Sequence, residues 1–388
     1  MTRVRSAARG VGGSAILLGL VVAACSGGPS GPAASAAPSG GAGGPVVVAV
    51  TLTDAGCVPD TSSVTAGAVT FRVANDGGDA VSEVELMEGD RILGEKENLA
   101  PGLTGTFTLE LQPGDYVLAC PGATTPETTF TVTPAASVAT SSVTDTSLEE
   151  ATDAYAAYVR DEVGQLVTAT GAFTDAVIAG DVERAKALYG PARVFYERIE
   201  PVAERFGDLD PAIDGRADDA ASPAEFTGFH RLEQALWETG DVTGMTPIAE
   251  RLVADIGRLR DLVATETYQP AQLANGAAEL LDEIAASKIT GEEERYSHLD
   301  LLDFEANLEG ARAAYDLLRP ALTSAAPDLA ASLDERFAAV EADLGRYRSG
   351  NGFVTYTALT ADQTRALAQG VDALAEPLSE VAARLVGS

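Results

Sequence analysis

Histidine is almost missing from this 388-residue sequence, which has His230 and His298, and cysteine, methionine and tryptophan are scarce too at three, three and one. Positive charge is in short supply too, with 26 Lys and Arg against 58 Asp and Glu. Such a surface repels nucleic acid and anionic lipid and attracts cations. Most of that acidity reads as a solvated, aggregation-resistant exterior, so only particular carboxylates can be argued into a site. The apolar stretch from Ala15 to Ala24 is too short to span a bilayer as a stable helix. The zincin pattern His-Glu-x-x-His is absent, and Gln234 after Glu233 breaks its inverted form.

What is present begins with a leader. Arg3, Arg5 and Arg9 precede the apolar run, which ends in Val22-Ala23-Ala24-Cys25, and small residues before a cysteine resemble a bacterial lipobox. The expectation is a signal peptide at 1–24 and a diacylated Cys25, a durable anchor where one acyl chain would be marginal. Removing the leader leaves 23 basic and 58 acidic residues, a net charge of −35.

Residues 25–45 are rich in Gly, Ser, Ala and Pro and read as a flexible tether. Short Val, Thr and Phe runs follow at Val46 to Leu52, Val69 to Val73, Thr106 to Leu111 and Thr128 to Val132, with turn signals such as Pro113-Gly114-Asp115 between them. This spacing predicts a small all-β sandwich over 46–134. A second linker at 135–146 leads to 147–388, where apolar residues recur at three and four residue steps, as in Tyr155, Tyr158, Val159 and Val163, and in Leu301, Phe304, Leu308, Ala311 and Tyr315. That pattern predicts an all-α bundle, and the chain as a whole a multidomain protein.

Both histidines lie in the helical part. His230 stands three residues before Glu233 in a stretch, Ala224 to Glu238, that reads as helix, so imidazole and carboxylate share one face. Taken alone, His-x-x-Glu is a weak signal, because a lone helical histidine is more often structural. Glu197 and Glu200 repeat the three-residue spacing upstream. Two such helices packed face to face would surround an ion, which is how metal sites are built inside helix bundles, and Asp214 can close the set. The competing expectation pairs Glu197 and Glu200 with Arg193 and Arg198 on a solvated face.

Tyr196-Glu-Arg-Ile-Glu-Pro, Asp208-Leu-Asp, Ala212-Ile-Asp, Gly228-Phe-His-Arg-Leu-Glu and Ile289-Thr-Gly-Glu-Glu-Glu-Arg-Tyr-Ser-His, taken in order, resemble the EfeO family, the periplasmic or lipoprotein component of EfeUOB iron uptake systems. Gly56-Cys57-Val-Pro, Glu97-Asn-Leu-Ala-Pro-Gly and Cys120 resemble that family's cupredoxin-like domain. The resemblance spans Val46 to the C-terminus and implies an imelysin-like helical domain, a group classed as peptidase-related. It also implies that His230 and Glu233 are metal ligands with Glu197, Glu200 and Asp214 beside them, and that a membrane iron permease and a haem peroxidase are partners. Oxygen-rich ligation with one imidazole suits Fe(II) or Fe(III), admits Zn and disfavours Cu(I).

Residues 46–134 contain no histidine, whereas a blue-copper site needs two. Cys57 and Cys120 are therefore either a disulfide, which an oxidising compartment favours, or soft ligands for a second metal such as copper, joined by Glu85 and Glu97. A metallopeptidase is the rival function, but nothing in the sequence looks like an activated nucleophile. Ser297 beside His298 invites a Ser and His reading, which adjacent positions on a helix would not support.

Overall fold

Alternating apolar residues make the first third of the chain a pleated structure. In the computed structural model, which describes residues 45–135, 143–218, 220, 222–286 and 288–386, nine strands occur in this region: β1 Val46–Thr53, β2 Gly56–Pro59, β3 Ser63–Thr65, β4 Gly67–Asn75, β5 Val84–Glu88, β6 Arg91–Lys96, β7 Thr104–Leu111, β8 Gly114–Ala119 and β9 Glu127–Thr133. The leader, Cys25, the tether to residue 44 and residues 136–142 of the second linker lie outside the described residues.

The strands form two sheets, ordered β2-β1-β4-β7 and β3-β9-β8-β5-β6, with β1/β4 and β3/β9 parallel. In β4, Val69, Phe71 and Val73 face inward while Arg72 faces out, the period of two that one buried face requires. Phe71 stacks on Phe107 at 4.9 Å and meets Phe130 edge-on at 5.4 Å across the sandwich. Cys57 in β2 and Cys120 just after β8 are joined as a disulfide, with 6.0 Å between their Cα atoms. The bond ties one sheet to the other.

From residue 143 the period changes to that of helices: α1 Val143–Ile178, α2 Val182–Glu197, α3 Glu200–Glu204, α4 Asp210–Ile213, α5 Gly228–Gln234, α6 Thr246–Val263, α7 Pro270–Ala286, α8 Asp300–Ala325 and α9 Pro327–Leu344. A short hairpin, β10 Arg348–Ser349 and β11 Gly352–Phe353, separates these from α10 Ala361–Leu378 and α11 Val381–Val386. Tyr155, Val159 and Val163 of α1 and Leu301, Phe304, Leu308, Ala311 and Tyr315 of α8 all lie in one apolar core. Helix α1 packs on α2 and α6, and α7 packs on α8 and α10. Among the described residues no helix is long and apolar enough to cross a membrane.

The sandwich is seated on the helices through its β6 and β7 side. Asn275 Nδ2 donates to the carbonyl of Thr108 at 3.0 Å, Gln272 Nε2 to that of Leu93 at 3.1 Å, and Arg91 pairs with Glu266 at 2.9 Å.

Candidate metal centre

Pro201 shapes the first half of the centre. It has no N–H to give to the carbonyl of Glu197, and its ring crowds that oxygen. Helix α2 accordingly stops at Glu197, and α3 starts afresh at Glu200. The freed carbonyl of Glu197 accepts from Asn307 Nδ2 of α8 at 2.8 Å. Helix α8 can come that close because Gly310 has no β-carbon, which would strike the carbonyl of Arg198. The single helix face expected to carry Glu197 and Glu200 is thus a break between two helices. Their carboxylates still converge, on the ammonium of Lys288, at 2.6 and 2.7 Å.

The second half is built by a glycine. The expected helix from Ala224 begins only at Gly228, whose φ of +73° is the left-handed conformation glycine tolerates. A side chain there would collide with the carbonyl of Ile213, and Thr227 Oγ1 donates to the carbonyl of Ala212 at 3.1 Å. This contact lays the start of α5 against the end of α4, so that His230 meets Asp214. His230 Nδ1 lies 3.2 Å from Glu233 Oε2, and its Nε2 lies 3.2 Å from Glu293 Oε1 and 3.5 Å from Asp214 Oδ1. The other oxygen of Glu233 accepts from the backbone N–H groups of Tyr296 and Ser297 at 2.9 and 2.7 Å.

Arg193 fills the space between the halves and is completely buried. Its guanidinium forks onto Asp214, contacts Glu197, and reaches Glu294 at 2.8 Å and Asp303 at 3.3 Å. Seven buried carboxyl groups, those of Glu197, Glu200, Asp214, Glu233, Glu293, Glu294 and Asp303, therefore surround two permanent cations, Arg193 and Lys288. Burial and the Arg193 charge oppose protonation of His230, but Asp214, Glu233 and Glu293 outweigh them and raise its pKa to about 10. Burial pushes the Glu293 carboxyl up, yet Lys288 and then His230 bring it well below the usual carboxylate range. Burial likewise raises Asp214 less than Arg193 and His230 lower it. Glu294 and Asp303 go the other way, raised by desolvation and by neighbouring acids despite the pull of Arg193.

The structure brings His230, Glu233, Asp214, Glu197 and Glu200 into one cluster. Three triads in it offer ligand atoms within 4.8 Å of one another: Asp214, His230 and Glu293; His230, Glu233 and Glu294; and Glu197, Glu200 and Asp214. Glu197 does pair with Arg193, as the competing expectation had it, but in the interior and not on a solvated face. Glu293 and Glu294, absent from the expected ligand set, stand inside the Ile289 to His298 motif. Their segment is a run of turns, so helical spacing gave no direction for their side chains. His298 adopts a left-handed backbone with φ of +59° and belongs to none of these triads. Residues 297 and 298 lie in a turn and not on the expected helix, and Ser297 Oγ donates to Glu294.

In the sandwich, the soft-ligand alternative meets the disulfide, which leaves no thiolate for copper. Among the described residues neither Cys57, Cys120, Glu85 nor Glu97 belongs to a group of three ligand atoms within 4.8 Å.

Two family models match the chain, Imelysin over residues 151–381 and Cupredoxin-like domain over residues 16–132. The "Iron uptake system component EfeO" of Escherichia coli K12 is 47% identical over 86% of this chain and 90% of its own length, as is that of Shigella flexneri. The same component from Escherichia coli O157:H7 is 46% identical over the same shares. Among solved structures, reduced auracyanin of Roseiflexus castenholzii is 20% identical, covering 24% of this chain and all of its own, at a TM-score of 0.19. With an imelysin domain following a cupredoxin-like sandwich, and near-half identity over most of its length, the chain belongs to the EfeO family of iron uptake components.

Proposed function

We propose that this chain captures iron outside the cytoplasmic membrane at the His230 cluster and passes it to a membrane permease, with a haem peroxidase as a further partner. Lipidated Cys25 would hold it at the envelope, the tether at 25–45 giving reach, the sandwich at 46–134 and the helical domain at 147–388 carrying the work, with a linker at 135–146 between them. The observation that carries this reading is the cradle of Asp214, Glu233 and Glu293 around both nitrogens of His230. A buried surplus of carboxylates is costly unless cations offset it. In the iron-free protein the proton on His230 supplies part of that offset, and a multivalent ion replacing it would supply more. Oxygen donors with a single imidazole favour iron, and the surplus of negative charge suits Fe(III). Metal analysis of purified protein after aerobic and anaerobic iron loading tests the reading. Tightly bound iron is expected in wild type and a large loss in His230→Ala; equal iron in both would refute the site.

The peptidase-related ancestry suggests hydrolysis, but a general base needs a free oxygen and a matched pKa. One oxygen of Glu233 is tied by two backbone N–H groups, and despite burial the carboxyl is lowered by His230 and those bonds. No peptide cleavage is expected. Metal-dependent proteolysis abolished by Glu233→Gln would reverse the assignment.

A further inference from the structure

A second set of acids lies where the sandwich meets the helices. Helix α3 presents Glu200 and Glu204 four residues apart, and α7 presents Glu279 and Glu283 at the same interval, so each helix shows two carboxylates on one face. Strand β6 adds Glu95 from the sandwich. Glu95, Glu204 and Glu279 offer ligand atoms within 4.8 Å of one another, and so do Glu200, Glu204 and Glu283.

Proximity of acids alone would mean little on so acidic a protein. Glu95 is different, being only 5% exposed while its carboxyl makes no hydrogen bond or ion pair among the described residues. Desolvation and then the neighbouring acids Glu97 and Glu279 all oppose its charge, a cost that a bound cation would relieve. It borders a cavity of about 530 Å³, also lined by Glu97, Glu279, Asp282 and Lys96, which has room for an ion with part of its water shell. The Lys96 ammonium pairs with Asp282, and its charge also acts on Glu279 and Glu97, so it competes with an ion for this cavity.

We infer that Glu95, Glu204 and Glu279 form a second cation site at the seam between sandwich and helical domain, for a hard, oxygen-seeking ion. All-oxygen ligation is the preference of such ions and excludes a soft one. The seam site is not isolated. Its triad shares Glu204 with the Glu200, Glu204 and Glu283 triad, which shares Glu200 with Glu197 and Asp214, which shares Asp214 with His230 and Glu293. Each step joins two triads through one common carboxylate, so an ion entering at the seam has a continuous line of oxygen donors to His230. Lys288, seated between Glu197 and Glu200, occupies the middle step and must shift or be passed. The inference rests on the iron-capture reading for the identity of the physiological ion, and on the seam geometry for the site.

Terbium(III), a hard trivalent ion, titrated into the full mature chain at physiological salt, tests it. In His230→Ala, which weakens the inner site, high-affinity terbium binding is expected to persist. Adding Glu95→Gln and Glu279→Gln to that background should then cost about tenfold or more in affinity, the scale of losing a ligand or its support. Replacing the exposed Glu149 and Glu150 by Gln should change nothing. Lys96→Gln, which removes a competing ammonium from the cavity, should raise the affinity, and this arm decides the matter if the glutamate variants fail to fold. Terbium affinity unaltered by Glu95→Gln with Glu279→Gln, or by Lys96→Gln, would overturn the seam site. Inner-site failure would show separately, as iron binding indifferent to His230→Ala.

Discussion

The sandwich contains two cysteines and no histidine, and the helical domain contains both histidines and no cysteine. Their interiors differ in the same sense. The sandwich core is hydrocarbon, closed by stacked phenylalanines and a bond between sheets, and it buries few polar side chains. The helical core encloses Arg193, Lys288, His230 and a shell of acids. One region is held by covalent and apolar contacts, which need no ion. The other is held partly by compensated charge, which an ion can enter by exchange. An acidic exterior says nothing about this difference; the partners of each buried carboxylate do.

The comparison would break most visibly at Arg193. Arg193→Met deletes the cation that Asp214, Glu197, Glu294 and Asp303 share and should cost on the order of 3–5 kcal/mol in urea denaturation. A loss below about 1 kcal/mol would mean that the acids neutralise themselves and that charge compensation is not what holds the helical core.

Next in size is the sandwich staple. Cys57→Ser with Cys120→Ser should remove about 2–4 kcal/mol, since the bond closes a loop with a sequence separation of 63. Iron affinity should not change, and thiol labelling of the native protein should find no free cysteine. A fall in iron affinity would show that the sandwich sulfurs serve the metal after all.

His230→Ala is expected to lower iron affinity about 10 to 100-fold or more, the range typical of disturbed ligation, with helical circular dichroism retained. Retained affinity in a folded variant would refute the His230 site.

A last test sharpens the comparison by pH. Iron needs a neutral imidazole, and the iron-free protein keeps its proton up to about pH 10, so uptake should release a proton and affinity should rise about tenfold per pH unit between roughly pH 5 and 8. The folded pKa lies above the free value of 6.5, so the imidazolium stabilises the iron-free fold fully below pH 6.5, and this contribution fades as pH climbs through about 10. An affinity flat across that range, measured anaerobically with Fe(II), would mean that His230 is not displaced from its proton.

How far the sequence could be read depended on the range of the interaction. Period two in Val69, Phe71 and Val73 and the helical steps of Leu301, Phe304 and Leu308 are local, and they sufficed for two regions of different class. The spacing of His230 and Glu233 is local as well, and both side chains do face one another at 3.2 Å. Glu197 and Glu200 are legible as a pair, and the only local sign of the break between them is Pro201. Glu293 and Glu294 were hidden because turns have no fixed side-chain period.

By itself, then, the sequence determined what short-range sterics and periodicity can carry: a strand region and then a helix region, an imidazole beside a carboxylate, and an excess of acids with few cations to meet them. Only the tertiary structure decided which of the 58 acids face those cations. Gly228 lets α5 lie against Ile213, Gly310 lets α8 approach Arg198, and the sandwich seats Glu95 over α7. Each is a contact between chain segments far apart in sequence, where burial of apolar surface sets the distance and the charges follow.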